Sequence, residues 1–243
     1  LQIHLQSRKR ILDAGCGNGR VTALLDRYAD AGAQIVGIDL VAHEVAAKNL
    51  DYSPRLRIHQ ADLLGDLSSL GEFDFIYCQE VLHHTRDPQA AFRNLVARLS
   101  PSGEIAIYVY KQKAPLREFA DDYVRRLVSV LPYDEAMKEL ESITLFAKQL
   151  SESRIVVRVP AVRILGIAEG EYDLQRFIYH HFFKNFWNPS LSLTDNIAVN
   201  YDWYHPQLCS RHSLEEVEGW FQESRLSIVH SCADAYGITV RGV

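Results

Sequence analysis

The segment Arg10–Arg20 reads RILDAGCGNGR and decides the predicted fold. Its first part, Ile11–Ala14, is a short apolar run typical of a buried strand, and Val21–Tyr28 carries apolar residues at helical spacing. Three glycines lie between them: Gly15, Gly17 and Gly19. Glycines let a ligand approach the backbone closely, and a helix N-terminus offers free amides to a ligand's negative group. The segment therefore predicts a strand, a ligand-binding turn and a helix.

The glycine spacing separates this turn from two other nucleotide-binding loops. A dinucleotide fingerprint requires G-x-G-x-x-G, but here the third glycine comes one residue early and Arg20 holds the place of the required glycine. The sequence also lacks the G-x-x-x-x-G-K-[ST] loop of P-loop nucleotidases. The pattern disfavours both classes.

Outward from this segment, apolar runs alternate with amphipathic stretches as far as Tyr110. Strands are predicted at 34–39, 56–60, 73–78 and 105–110, helices at 41–50 and 87–99, and a turn at 100–103. Repeated β-α-β units with buried strands indicate a parallel sheet covered on both faces.

The alternation stops after Tyr110 and returns near the C-terminus. Residues 111–210 are aromatic and mostly helical in pattern, with no strand alternation. A helix is then predicted over 213–223, with Ser213 as N-cap and Glu216 at capping-box spacing, followed by strands at 226–232 and 236–240. We expect a core formed by residues 1–110 and 211–243 and a helical insertion at 111–210.

Two acidic residues follow predicted strands. Asp39 ends the second strand, about 20 residues after the glycine turn, where an acid binds ribose hydroxyls in nucleotide folds. Asp62 follows the third strand and could accept a hydrogen bond from an adenine amino group. Asp39 could instead cap the next helix, and Asp62 could be an ordinary loop residue. Ligands of open α/β sheets bind at this edge, which favours a nucleoside site.

These stretches resemble the class I S-adenosylmethionine-dependent methyltransferases, most closely the small-molecule branch with the ubiquinone and menaquinone methylases. The matching segments are ILDAGCGNGR, IVGIDL, HQADLL and FDFIYCQEVLHHTRDPQAAFRNLVARLSPSGEIAIYVY. The resemblance implies a Rossmann-like α/β fold with a seven-stranded sheet, order 3-2-1-4-5-7-6, strand 7 antiparallel. The mostly helical cap would be inserted between strands 5 and 6.

The resemblance also implies S-adenosyl-L-methionine as cofactor and assigns residues to it. Gly15 and Gly17 would lie under its methionine part, with Asp13 near the amino group; Asp39 would hold the ribose, Asp62 and Leu63 would frame the adenine, and Gln79 would lie near the sulfonium. Asn18 and Leu40 complete the implied set. The family usually has helices before the first strand, and here only a short segment precedes it. Either those helices are missing from this chain, which starts without Met, or the insertion covers the substrate.

The insertion and the segment after the fourth strand supply candidates for the acceptor side. We expect the insertion to cover the cofactor's methyl group, with His84, His181, Trp187, Trp203 and Tyr204 near the acceptor, although such dense aromatic residues could equally form core. His83 is the candidate general base and His205 the reserve, because imidazole titrates near neutral pH. Glu80, His83 and His84 could alternatively hold a divalent metal, but no fourth ligand is identifiable and no metal site is predicted.

Composition narrows the function. The 243 residues carry a net charge of −5, which gives no reason to expect a nucleic-acid partner. No apolar run is long enough to span a membrane, and the four cysteines contain no CxxC pair, so a cytoplasmic location is expected. We predict methyl transfer to O, N or C of a small, hydrophobic or ring-containing biosynthetic metabolite. The alternatives are an RNA or protein methyltransferase and a non-methylating S-adenosylmethionine-binding protein. The oligomeric state is left open.

Overall fold

The computed structural model describes residues 5–243 of the chain. Two compact units form, Leu1–Lys111 with Ser210–Val243, called the core unit, and Gln112–Cys209, called the helical unit.

The core unit contains a seven-stranded sheet. Its strands are β1 (Arg10–Ala14), β2 (Gln34–Asp39), β3 (Leu56–Gln60), β4 (Phe73–Gln79), β5 (Leu99–Tyr110), β8 (Ile228–Ala233) and β9 (Gly237–Gly242), while β6 and β7 belong to the helical unit. The order is β3-β2-β1-β4-β5-β9-β8. Strands β1 to β5 pair in parallel, and β9 pairs antiparallel with both β5 and β8. The predicted order and the antiparallel last strand are confirmed.

Neighbouring residues of each central strand face opposite sides of the sheet. Leu12 and Ile76 belong to one hydrophobic cluster, and Ile11 and Phe75 to another. Because side chains alternate along a strand, each face of the sheet has its own apolar cluster, and each face needs helices to cover it. The chain supplies these layers with α1 (Arg20–Tyr28), α2 (His43–Asn49), α3 (Pro88–Val96) and α8 (Leu214–Glu223).

The helix α8 begins as its sequence predicts, except for one contact. The Ser213 hydroxyl accepts a hydrogen bond from the Glu216 amide at 3.1 Å, as an N-cap does. Glu216 Oε1 instead lies 2.8 Å from His212 Nδ1. His212 Nε2 in turn lies 2.9 Å from Ser210 Oγ, and the Ser210 amide donates to the His83 carbonyl at 2.8 Å. This chain of contacts ties the start of α8 to the segment after β4.

The predicted turn at 100–103 is wrong. Strand β5 begins at Leu99 and runs through this stretch, with a register shift against β4 between Phe73 and Phe75. Ser102 takes a positive φ of 65°. A bulge of this kind absorbs extra residues without ending the strand, so the Pro and Gly mark an irregular strand rather than a loop.

The helical unit contains α4 (Pro115–Val128), α5 (Tyr133–Ser153), α6 (Leu174–His181) and α7 (Leu193–Tyr204). It also contains a two-stranded antiparallel sheet of β6 (Val156–Val159) and β7 (Gly170–Asp173). The expectation of no strands here is therefore wrong. Val156-Val157-Arg158-Val159 is rich in β-branched residues, which favour strands, but four residues are too few to show a clear alternation.

Two further features concern the chain as a whole. Within residues 5–243 no helix combines the length and apolar composition that a bilayer crossing requires. The same part of the chain contains no disulfide bond, and Cys16 and Cys78 are buried thiols.

Candidate active site

The turn between β1 and α1 is bonded directly to the neighbouring strand. The amides of Gly15 and Cys16 both donate to the Ile38 carbonyl of β2, at 2.8 and 2.9 Å. Gly15 and Gly19 have φ of 82° and 90°, values that favour glycine. A Cβ on Gly15 would lie 2.2 Å from Val81 Cγ2. The turn therefore requires glycine at this position for both backbone and packing.

Gly17 differs from its neighbours in facing open space. Its φ is 54°, and a Cβ there would have no atom within 4 Å. Its amide donates to Asp39 Oδ2 at 3.0 Å. This amide is thus already bonded to a carboxylate, which leaves it unsuited to binding a phosphate.

Asp39 joins the glycine turn to the start of α2. Its Oδ1 accepts from the amides of Val41 and Ala42 at 2.9 and 2.7 Å, and its Oδ2 accepts from Gly17. Asp39 therefore accepts from the amides that lead into α2, as the capping interpretation expects. It also borders a cavity, where the ribose interpretation would place it. A carboxylate offers about four acceptor positions, so capacity remains for a ligand hydroxyl.

A cavity of about 390 Å³ opens at the carboxyl edge of the parallel strands. Its lining is drawn from the ends of β1, β2, β3 and β4: Gly15, Gly17, Ile38, Asp39, Leu40, Val41, Ala61, Asp62, Leu63, Gln79, Glu80, Val81, His84 and Thr85. The volume is that of a small-ligand site. Seven of the nine predicted cofactor residues meet here: Gly15, Gly17, Asp39, Leu40, Asp62, Leu63 and Gln79.

The charge of this cavity is negative. Asp39, Asp62 and Glu80 line it, and His84 is the one basic side chain among its lining residues. Such a wall attracts a cationic ligand and repels the pyrophosphate of a dinucleotide. The cavity therefore suits a nucleoside that carries positive charge.

Glu80 lines the cavity but was not among the predicted site residues. Its φ is 60°, in the region that residues other than glycine rarely adopt. Such strain at a non-glycine residue often marks a functional position. The sequence marked Glu80 only as part of the alternative metal set with His83 and His84, and by its place directly after Gln79, whose Oε1 accepts from the Tyr77 hydroxyl.

Asp13 and Asn18 do not line the cavity. Asp13 is buried, and burial raises the pKa of its carboxyl to about 6, although the Thr22 hydroxyl donates to it at 2.6 Å. The Asn18 side chain accepts from the Arg20 amide at 3.1 Å, and its carbonyl accepts from Asn49. Both residues make hydrogen bonds that stabilise the turn rather than line the cavity.

His83 is fully buried and lies outside the cavity lining. Its ring stacks on Tyr110 with centroids 3.7 Å apart, and its Nδ1 accepts from the Tyr110 amide at 3.3 Å. His84, its neighbour, is the histidine that lines the cavity. In the part of the chain that the structure describes, no three His, Cys, Asp or Glu side chains could hold a metal ion, so the Glu80, His83 and His84 set gains no support as a metal site.

A family model described as "Methyltransferase domain" matches residues 2–149. An enzyme named ubiquinone biosynthesis O-methyltransferase from Bordetella bronchiseptica is 31% identical over 204 residues, covering 80% of this chain and 74% of that one. The chain belongs to the class I S-adenosylmethionine-dependent methyltransferases. S-adenosylmethionine is the cofactor of this family.

Other relatives of this methyltransferase are matched over part of their length. An uncharacterised Synechococcus protein is 35% identical over 121 residues, which cover 47% of this chain and 29% of that protein. The Bordetella pertussis ubiquinone biosynthesis O-methyltransferase is 31% identical, with 57% of this chain and 60% of that one aligned. Among solved structures, PKMT2 from Rickettsia typhi in complex with AdoHcy has a TM-score of 0.61 at 15% identity, covering 96% of this chain and 48% of that one. That likeness shows the fold.

The predicted acceptor residues of the methyltransferase divide by unit. His84 lies in the core unit, and the others lie in the helical unit. Trp203 and Tyr204 are buried there, and both donate to the Asp121 carboxylate at 2.9 Å. These two residues are interior side chains of their unit, which matches the core alternative for the aromatic residues.

The two remaining acceptor candidates, His181 and Trp187, and the reserve base His205 lie among aromatic and basic neighbours. His181 meets Phe177 with centroids 5.1 Å apart, and Lys148 Nζ lies 5.7 Å from the Trp187 ring. His205 stacks on Tyr201 at 4.4 Å. Their roles toward an acceptor stay predictions.

A second cleft, about 540 Å³, lies in the helical unit between α4 and α5. Its lining alternates apolar side chains with Glu135, Lys138 and Glu139, and it contains no glycine turn. This cleft is larger, but its lining lacks the strand ends and the glycine turn that the cavity of the core unit combines with acidic residues. The cavity of the core unit is therefore the candidate active site.

Proposed function

We propose that this methyltransferase transfers a methyl group to a hydroxyl of a small, ring-containing metabolite, with O chosen over N and C. The observation that carries the cofactor side is the acidic cavity, in which Gly17 faces open space and Asp39, Asp62 and Glu80 line the walls. The acceptor side is supported by the 31% identity over 204 residues to an enzyme named for O-methylation in ubiquinone biosynthesis.

The charge and the volume of the cavity suit S-adenosylmethionine. Asp39 would accept from the ribose hydroxyls, Asp62 and Leu63 would frame the adenine, and Gly15 and Gly17 would lie under the methionine part. When bound, the cofactor supplies a methyl group already activated on a sulfonium. The chain's own residues then have to align the acceptor and exclude water, which can supply much of the rate enhancement.

A hydroxyl acceptor benefits from a base. His84 is our added candidate, because its side chain lines the cavity. His83 and His205 stay candidates, and the helical unit is proposed to bind the acceptor. We further propose a cytoplasmic enzyme with no nucleic-acid partner.

The cofactor assignment is tested by thermal unfolding. S-adenosylhomocysteine at 100 times its Kd should stabilise the folded protein by about 2.7 kcal/mol, and NAD at the same concentration should leave Tm unchanged. Stabilisation by NAD without a response to S-adenosylhomocysteine would overturn the proposal.

The acceptor assignment is tested with catechol-type and phenolic rings as methyl acceptors, with product detected by mass spectrometry. His83→Ala, His84→Ala and His205→Ala are then compared at saturating cofactor. The variant that lacks the base should lose about 10²–10⁴-fold in turnover. Full turnover in all three variants would show that alignment alone suffices, and product only on amines or carbon would contradict O-methylation.

A further inference from the structure

The interior of the helical unit holds more positive than negative charge. Arg117 on α4 and Lys184 after α6 are both buried, at 2% and 9% exposure. Both lie beside the Trp203 ring: the guanidinium carbon is 5.4 Å and the ammonium nitrogen 4.8 Å from its centroid. Two buried cations on one ring repel each other unless a negative group lies near them.

The buried carboxylate beside them is already saturated. Asp121 Oδ1 accepts from the Lys184 amide at 2.8 Å and from the Tyr204 hydroxyl at 2.9 Å. Its Oδ2 accepts from Arg117 Nε at 3.1 Å and from Trp203 Nε1 at 2.9 Å. The Tyr204 hydroxyl shares its single proton with the Lys184 carbonyl, 2.8 Å away. Both Asp121 oxygens are nevertheless occupied by other donors, and within the described residues no hydrogen bond joins Asp121 to the Lys184 ammonium.

Both cations therefore keep unused donors. Within residues 5–243, Lys184 Nζ has no hydrogen bond or ion pair, and Arg117 bonds through Nε alone. Neither Lys184 Nζ nor the Arg117 Nη atoms are among the fully enclosed unpartnered atoms of the described residues, so these charged donors stay within reach of a small ligand.

The surroundings add to the positive field. Burial, followed by the charges of Arg176 and Arg117, lowers the pKa of His180 to about 4. Burial lowers the pKa of Lys184 to about 7, helped by Arg117 and Lys113 and opposed by Asp121 and Asp202. Burial is the largest cause of both shifts, and the positive charges of Arg117 and Lys113 add to it at both groups.

We propose that the helical unit binds an oxyanion, a carboxylate or a phosphate, between the Arg117 guanidinium and the Lys184 ammonium, and that this anion is part of the methyl acceptor. Guanidinium binds planar or tetrahedral oxyanions through paired N–H donors, and the ammonium adds a point charge. The acceptor assignment rests on the proposed function, whereas the anion site does not. The acceptor is then a ring compound that carries an acidic group.

The site is tested on the whole protein with benzoate, phenyl phosphate and neutral benzyl alcohol as probes, at constant ionic strength. Benzoate or phenyl phosphate should bind saturably in calorimetry, and the tighter of the two identifies the anion as carboxylate or phosphate. Benzyl alcohol should not bind. Equal binding of all three probes, or of none, would overturn the site.

Three variants locate the binding. Lys184→Met should lower the affinity for the anion about ten- to a hundredfold, because one charged hydrogen bond is lost. Arg117→Lys keeps the positive charge and should lower the affinity for the anion less than Lys184→Met does. Lys148→Met, at a half-exposed lysine of the same unit, should bind as the wild type does. Unchanged affinity in Lys184→Met would overturn the proposal.

A proton count separates Lys184 from a general salt effect. At pH 8 the wild type should take up close to one proton per anion, because the bound charge raises the pKa of Lys184; Lys184→Met should take up none. Equal uptake by both proteins would contradict the role of Lys184. S-adenosylhomocysteine binding in the same samples distinguishes the failures: if it persists without anion binding, this inference alone falls, and if it is absent, the proposed function falls.

Discussion

The two units carry charge of opposite sign at the sites proposed for them. The cavity of the core unit has three carboxylates, Asp39, Asp62 and Glu80, in its lining. The helical unit instead buries Arg117 and Lys184 around one saturated carboxylate, Asp121. Under the two proposals above, one chain carries separate sites for a cationic cofactor and an anionic acceptor, and each site repels the other's ligand.

The largest effect is expected from Asp121→Ala. It removes a carboxylate with four hydrogen bonds and leaves Arg117 and Lys184 without a buried counter-ion. Breaking a buried pair in this way costs about 3–5 kcal/mol of unfolding free energy, measured by urea denaturation.

Asp122→Ala is the matched control. Asp122 is the next residue on α4, half-exposed, and lies 4.0 Å from Arg125. Its loss should cost less than about 1 kcal/mol. If the two variants were equally stable, Asp121 would not be the residue that neutralises the cluster.

The second prediction concerns the glycine turn of the acidic site. In Gly15→Ala the new methyl group would collide with Val81 at a backbone φ of 82°, so we expect a loss of about 2–4 kcal/mol of stability. Gly17→Ala faces open space and should cost about 1 kcal/mol of stability while obstructing cofactor binding. Gly32→Ala, with no neighbour within 4 Å and no positive φ, is the control. Normal stability of Gly15→Ala would contradict the packing at this turn.

The difference between the units also explains what sequence could predict. The core strands carry continuous apolar runs, so a parallel sheet with a ligand site at its strand ends could be predicted from Ile11–Ala14 and Asp39, whereas the strand order was implied by the family resemblance. The hairpin β6–β7 was missed because its strands are short and Val156 is exposed, which removes the alternation that marks a half-buried strand.

The direction of side chains was the second feature that could not be predicted from the sequence. His83 and His84 are adjacent in sequence, and only the 3-10 turn at Leu82–His84 decides that His83 is buried and His84 lines the cavity. Likewise, Arg117 and Asp121 lie on α4, Lys184 follows α6 and Trp203 lies on α7, and their separation along the chain gives no periodic signal. Such placement depends on tertiary packing.

The third prediction separates the two roles of Asp39. Asp39→Ala should weaken the binding of S-adenosylhomocysteine by about 1.5–3 kcal/mol, as measured by calorimetry, which is the scale of a lost charged hydrogen bond. Stability should fall by about 1 kcal/mol as well, since three backbone amides lose their acceptor. Asp66→Ala is the control, because Asp66 accepts from the Ser68 amide outside the cavity. A stability loss with unchanged affinity would reduce Asp39 to a capping residue.

The smallest effect, with the opposite sign, is expected from Lys184→Met. The pKa of Lys184 is lowered to about 7 in the folded protein and returns to its ordinary value near 10.5 on unfolding. Below pH 7 the group is charged in both states, so the folded state carries the full cost of burying that charge. Between pH 7 and about 10.5 the unfolded state holds more protons, and wild-type stability rises with pH.

Methionine at position 184 removes the charge and keeps the apolar stem, so the Lys184→Met variant should be about 1–2 kcal/mol more stable than the wild type near pH 6. The gain should shrink toward zero at pH 10, because Lys184 is then neutral in the folded wild type as well. Urea denaturation of both proteins across this range measures the difference, and Lys148→Met should follow the wild-type curve. A variant less stable than the wild type at pH 6 would mean that the Lys184 ammonium is compensated in the folded protein, and the excess of positive charge in the helical unit would disappear.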